Sequence, residues 1–62
     1  MRVMFFDKLR ETYHAVKNVE QIESSMVKIN GRFTSVWRLL KQDGCDETFK
    51  QKDFTIYRVE AT

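Results

Sequence analysis

Hydrophobic and polar residues alternate most regularly in the segment RFTSVWRLLK, residues 32–41. Every second residue from Phe33 to Leu39 belongs to a mostly apolar set, and the intervening set is partly polar. A period of two is expected of a β-strand with one buried face. The pattern therefore predicts a strand over Arg32–Lys41, with Trp37 in the middle of the buried set.

The only two glycines of the chain frame this strand, and each directly follows an Asn or an Asp. An Asn-Gly or Asp-Gly pair between alternating segments is a strong hairpin signal. The segment MVKI precedes the first pair and DETFK follows the second. The sequence therefore predicts a three-stranded antiparallel meander with Trp37 in its central strand.

The alignment of apolar faces predicts the lengths of the two loops. In the first hairpin, a two-residue loop would place Val27 opposite the polar Thr34, whereas a three-residue loop that ends in glycine places Val27 opposite Phe33. Three-residue loops are therefore predicted at residues 29–31 and, by the same construction, at residues 42–44. Both glycines are expected to adopt a positive φ, which disfavours a Cβ.

The second loop places Trp37 opposite Phe49 and Leu39 opposite Glu47. Phe33, Trp37 and Phe49 then share the apolar face, and all three are expected in the core. Arg38 is left on the opposite face of the strand.

The last strand is predicted within KDFTIYRVEA, residues 52–61, because this segment is rich in aromatic and β-branched residues. Both of its faces are partly apolar, with Phe54 and Ile56 on one side and Tyr57 and Val59 on the other. We expect one of these faces to be covered by another element or another subunit.

The N-terminal third has two interpretations. The segments RVMFF and TYHAV suit short strands on either side of the charged turn DKLRE. Alternatively, the spacing of Phe6, Leu9, Tyr13 and Val16 is typical of an amphipathic helix over about residues 6–17 that Asp7 would cap. The predicted fold is all-β, an antiparallel meander or open barrel of four to five strands; the alternative is α+β, with that helix on a sheet of three or four strands.

Sixty-two residues predict a single domain, residues 1–62, of marginal stability. The single cysteine excludes an intramolecular disulfide, and one histidine with one cysteine cannot supply the ligands of a zinc site. No metal or cofactor is therefore expected. Self-association or tight packing is left to stabilise the fold.

The formal net charge is +2, and acidic and basic residues are interleaved along the chain. This interleaving does not resemble the clustered charge of a strong nucleic-acid binder. The longest apolar run, VMFF, is far too short to span a membrane, and no secretory signal is seen. With a lone thiol, these observations predict a cytoplasmic location and no membrane partner.

Catalytic groups are scarce. Cys45 has only His14 as a conceivable base, in a different predicted element, and the neighbouring carboxylates of Asp46 and Glu47 lie among lysines that would keep them ionised at the surface. No glycine-rich phosphate loop is present. We therefore predict that the chain is not an enzyme.

The predicted function is that of a small interaction or regulatory module that binds a protein, most simply a second copy of itself. The predicted contact residues are Arg38, Tyr57, Arg58 and Val59. The alternative is nucleic-acid binding by basic residues on one sheet face, with phosphate contacts from Arg32, Arg38, Lys41, Lys52 and Arg58. Base stacking would need exposed aromatic rings, and only Tyr13 or Tyr57 is easily placed at the surface.

Overall fold

The computed structural model describes residues 1–61, which form two antiparallel sheets of three strands each. The strands are β1 (Arg2–Asp7), β2 (Thr12–Val16), β3 (Val19–Ile29), β4 (Arg32–Lys41), β5 (Asp46–Lys50) and β6 (Phe54–Glu60). Sheet I has the order β2-β1-β6, and sheet II has the order β3-β4-β5. The predicted all-β class is confirmed, although the six strands exceed the predicted four to five.

The N-terminal third forms the hairpin of β1 and β2, so the alternative helix over residues 6–17 is wrong. The burial of β1 alternates with a period of two, because Val3 and Phe5 are fully buried while Met4 and Phe6, which follow each of them, are only partly buried. Asp7 caps the hairpin turn instead of a helix. Its Oδ1 accepts hydrogen bonds from the backbone N–H groups of Leu9 and Arg10, at 3.0 and 3.2 Å.

The second hairpin confirms the predicted pairs, with Trp37 opposite Phe49 and Leu39 opposite Glu47. The predicted strand and β4 have the same bounds. The backbone N–H of Lys41 donates to the carbonyl of Cys45 at 3.1 Å, which closes a three-residue loop over residues 42–44. Gly44 adopts a φ of 84° at the last loop position.

The first hairpin has a two-residue loop, and the predicted three-residue loop is wrong. Asn30 and Gly31 both have positive φ, 50° and 78°, as a type I′ turn requires. Lys28 therefore pairs with Phe33, and Val27 pairs with Thr34. The prediction failed because it assumed that Phe33 belongs to the core, whereas its side chain is 74% exposed.

The core lies between the two sheets. Its buried residues are Val3, Phe5, Val16, Val19 and Leu39. The rings of Phe5 in sheet I and Phe49 in sheet II have centroids 4.6 Å apart and join the sheets near the centre. Trp37 is half-buried and packs against this core, in agreement with its predicted position.

In sheet II, strands β3 and β4 extend beyond their shorter neighbour β5. β3 has 11 residues and β4 has 10, whereas β5 has 5 and pairs with β4 only from Val36 to Leu40. Residues 26–35 consequently form a ribbon that ends in the Asn30-Gly31 turn and is two-stranded beyond Ser35, whose carbonyl accepts a hydrogen bond from the backbone N–H of Gln51 at 3.0 Å. We call this ribbon the arm.

Candidate interaction face

Strand β1 lies at the centre of sheet I and contributes alternate residues to two different surfaces. Val3 and Phe5 point into the core, so Met4 and Phe6 point to the other side of the sheet. Tyr13 of β2 pairs with Phe6 and shares its side. The outer side of sheet I thus begins as an apolar surface.

Three aromatic rings, one from each strand of sheet I, are in contact on this outer side. The centroids of Phe6 and Tyr13 are 5.3 Å apart at 56°, and those of Tyr13 and Tyr57 are 5.0 Å apart at 68°. The two tyrosines remain 57% and 58% exposed. Together with Lys8 and Thr55, the rings line a shallow groove of about 430 Å³.

Charged residues surround the rings. Glu60 interacts with two arginines, Arg2 at 3.7 Å and Arg58 at 3.8 Å. The Nε of Arg2 and the Oε1 of Glu60 are shielded from solvent and form no hydrogen bond within residues 1–61. The ion pair between these two atoms is therefore their polar contact in this part of the chain. Lys8, at the groove, forms no ion pair with the described residues.

We call this surface the aromatic face; its members are Arg2, Met4, Phe6, Lys8, Tyr13, Tyr57, Arg58 and Glu60. Its three cations and one carboxylate give it a local charge of +2. Asp7, the acidic residue of β1, is buried on the opposite side of the strand. Because alternate residues of a strand face opposite ways, Asp7 lies away from the cations of the face although it is next to Lys8 in the sequence.

Only part of the predicted protein interface lies on the aromatic face. Tyr57 and Arg58 belong to it, whereas Val59 is exposed but pairs with the inward-facing Val3. Arg38 lies on sheet II and points away from the core that contains its neighbour Leu39, so the four residues do not form one patch. Its guanidinium makes two hydrogen bonds to the carboxylate of Asp46, at 3.2 and 3.0 Å.

The residues predicted to contact nucleic acid are also dispersed. Arg38 is paired with Asp46, and Lys41 lies 3.2 Å from the carboxylate of Glu47. The hydrogen bond that the Lys41 ammonium donates to Glu47, together with the negative charge of Glu47, raises the pKa of Lys41 above 10.5. Arg32 lies on the arm, Lys52 lies in the turn between β5 and β6, and Arg58 lies on the aromatic face.

The sequence interpretation assigned no contact role to five members of the face, Arg2, Met4, Phe6, Lys8 and Glu60. The signal that identifies the two apolar residues is the alternation in RVMFFD, which places them together once β1 is taken as a strand. That signal competed with a helical spacing through Phe6 and Tyr13. The contact between Tyr13 and Tyr57 joins residues 44 positions apart and has no local signature.

The remaining reactive groups have ordinary structural surroundings. Cys45 is exposed in the turn between β4 and β5, and its backbone N–H donates to the Oδ1 of Asp43 at 2.9 Å. That hydrogen bond lowers the pKa of Asp43 below 3.8. His14 lies in β2, with its ring centroid 5.7 Å from that of Phe49. Within residues 1–61 no group of three His, Cys, Asp or Glu side chains is placed to hold a metal ion.

No protein-family model, curated protein or solved structure matches this chain. The described residues contain no helix of the length and apolar character needed to cross a membrane.

Proposed function

We propose that the chain is a non-enzymatic binding module that recognises a protein partner through the aromatic face. The observation that carries this proposal is the contact among Phe6, Tyr13 and Tyr57 on the solvent side of sheet I. The core lies on the other side of the sheet and is formed without the two tyrosines. Large rings that are gathered at the surface without serving the core are typical of interaction sites.

The composition of the face fits the centre of a protein interface. Tyrosine, phenylalanine, methionine and arginine are enriched at such centres, and Tyr and Arg often account for much of the binding energy. The tyrosine hydroxyls offer hydrogen bonds at the edge of an apolar patch. A partner would bury Tyr13 and Tyr57 with little loss of conformational freedom, because their rings already restrain each other.

The tilt of the rings favours a protein over stacked bases. Phe6, Tyr13 and Tyr57 meet at 56° and 68°, so each ring covers part of its neighbour, and they do not form a row of parallel platforms. The two arginines of the face also share the carboxylate of Glu60. A face made this way is better suited to an irregular protein surface than to successive nucleobases.

The charge of the face defines the chemistry of the partner. With a local charge of +2 around the apolar centre, the best complement is an apolar segment flanked by Asp or Glu. Two copies of the same face would bring Lys8 and Arg58 of one chain towards those of the other. This repulsion makes the acidic partner the better complement. Self-association through the face stays a prediction, which a separate experiment tests.

A selection from a random displayed-peptide library tests the proposal. Peptides that bind the wild-type chain are expected to be rich in apolar and acidic residues, and their affinity should fall at least tenfold in the Tyr13→Ser/Tyr57→Ser variant. Phe33→Ser is the matched control, since it removes an aromatic ring of similar exposure from the arm, and it should leave the affinity unchanged. Peptides that bind the double serine variant as well as the wild type would contradict the proposal.

Sedimentation equilibrium of the same three chains tests the second copy as the partner. A wild-type dimer that the double serine variant dissociates, with Phe33→Ser still dimeric, would assign the face to self-association. A monomer at all concentrations would leave the acidic partner as its occupant.

A further inference from the structure

The arm carries exposed apolar side chains that the core does not use. Phe33 is 74% exposed and Met26 is 62% exposed. Lys28 pairs with Phe33 and lies two residues from Met26, so all three side chains lie on one side of the ribbon. The Nζ of Lys28 is 5.9 Å from the centroid of the Phe33 ring.

The charge of the arm is uniformly positive. The chain has no acidic residue between Glu23 and Asp43, and the only charged residues in the arm are Lys28 and Arg32. Neither forms an ion pair with another described residue, whereas Arg38 of the same acid-free stretch is neutralised by a carboxylate of β5. The cations at the end of the arm are therefore free to pair with an anionic partner.

The dimensions of the arm match a nucleic-acid groove. Four cross-strand pairs, from Met26 opposite Ser35 to Ile29 opposite Arg32, separate the rest of sheet II from the turn. The backbone N–H of Gln51 donates to the carbonyl of Ser35, so three of these pairs extend beyond the third strand of the sheet. At about 3.4 Å per residue, this free part is about 10 Å long, and its strands are about 4.8 Å apart. The major groove of B-form DNA is about 12 Å wide and about 8.5 Å deep and accommodates a two-stranded β-ribbon.

We propose that the arm binds in the major groove of duplex DNA. Lys28 and Arg32 pair with phosphates at the groove edges, and Phe33 contacts the exposed methyl groups of thymines. Met26 lies beside Phe33 and extends the apolar contact. This site is separate from the aromatic face and uses different residues, so either proposal holds or fails independently of the other.

Fluorescence anisotropy with a labelled 20-base-pair duplex of alternating A and T tests the phosphate contacts. Two phosphate contacts correspond to an affinity loss of about 12-fold between 50 and 200 mM salt, and one contact corresponds to about 3.5-fold. For each of the variants Lys28→Ala and Arg32→Ala, the loss of affinity between 50 and 200 mM salt should be about 3.5-fold smaller than for the wild-type chain. Lys52→Ala removes an exposed lysine outside the arm and should leave the salt dependence unchanged.

The same duplex with uracil in place of thymine tests the apolar contact, because only the methyl groups are lost. The wild-type chain should bind the uracil duplex several-fold more weakly, and Phe33→Ala should bind both duplexes equally. All substituted side chains are exposed, and circular dichroism verifies that each variant is folded. Absence of duplex binding at 50 mM salt, or equal binding of the two duplexes by the wild-type chain, would overturn the proposal.

Discussion

The indole Nε1 of Trp37 donates a hydrogen bond to the backbone carbonyl oxygen of Phe54, 3.2 Å away. Trp37 lies in the central strand of sheet II, and Phe54 is the first residue of β6 in sheet I. The bond therefore connects the two sheets near the second of the two crossings between them, where β5 is followed by β6. It also explains why tryptophan suits this position better than another large apolar residue, since only its ring combines that bulk with an N–H donor.

Substitution of Trp37 should separate the contribution of its hydrogen bond from that of its packing. Trp37→Phe keeps a ring against the core and is expected to lower the free energy of unfolding by about 1 kcal/mol, the usual net value of one hydrogen bond. Trp37→Ala also removes the packed ring and should cost about 3 kcal/mol, the low end for a large aromatic residue because Trp37 is half-buried. Urea denaturation measures both. Equal costs for the two variants would contradict the role of the ring.

Asp7 should stabilise the first hairpin through its oxygen atom and not through its charge. Asp7→Asn retains an oxygen acceptor for the N–H groups of Leu9 and Arg10, so its cost should be below about 1 kcal/mol. Asp7→Ala leaves both groups without that acceptor and should cost about 2 kcal/mol. Chemical denaturation of the pair distinguishes the two effects. An asparagine variant as unstable as the alanine variant would show that the charge matters instead.

Gly31 and Gly44 should respond alike to substitution, although they lie in turns of different length. A Cβ at either position has no heavy atom within 4 Å, so the cost of alanine comes from the positive φ alone, about 1–2 kcal/mol. Asparagine tolerates this conformation better and should cost less than alanine at both sites. Thermal denaturation of the four variants measures these differences. A stable Gly31→Ala variant would indicate that the two-residue turn is wrong.

Asp43 should make the second hairpin sensitive to acid. The hydrogen bond from the N–H of Cys45 lowers the pKa of Asp43 in the folded chain below 3.8, so the carboxylate stabilises the fold at higher pH. This contribution is lost as the pH falls from 3.8 through the lower pKa of the folded state. Asp43→Asn retains the acceptor without titrating. The stability difference between the wild type and this variant, followed by thermal denaturation from about pH 5 to about pH 2, should shift in favour of asparagine.

The sequence predicted the sheets best where alternation and turn chemistry agree. The strand Arg32–Lys41 and the loop over residues 42–44 follow from both signals, and the structure has them. At Asn30-Gly31 the two signals disagreed. The turn chemistry was the better guide, because Phe33 lies beyond the part of sheet II that sheet I covers, and so the apolar pattern carried no information about the register there.

The candidate site was harder to predict than the fold. Tyr57 and Arg58 were identified because the last strand is apolar on both faces, but their neighbours on sheet I depend on the return of β6 to β1 across most of the chain. That pairing includes a register shift between Met4 and Phe5, which no local pattern indicates. Arg38 was grouped with Tyr57 for its residue type alone. The type of a side chain does not determine on which sheet, or on which face of that sheet, the residue lies.

Under the proposed function, strand β1 would link recognition directly to folding. Phe5, at the heart of the core, stands between Met4 and Phe6 of the aromatic face, so a ligand that holds the outer residues also restrains the strand that carries the inner ones. A ligand that binds only the folded chain raises its stability by mass action, by about 2.7 kcal/mol at a hundredfold excess over Kd. For a chain of 62 residues this is a large share of the total stability. The occupied protein would consequently melt at a visibly higher temperature than the free one, whichever partner it takes.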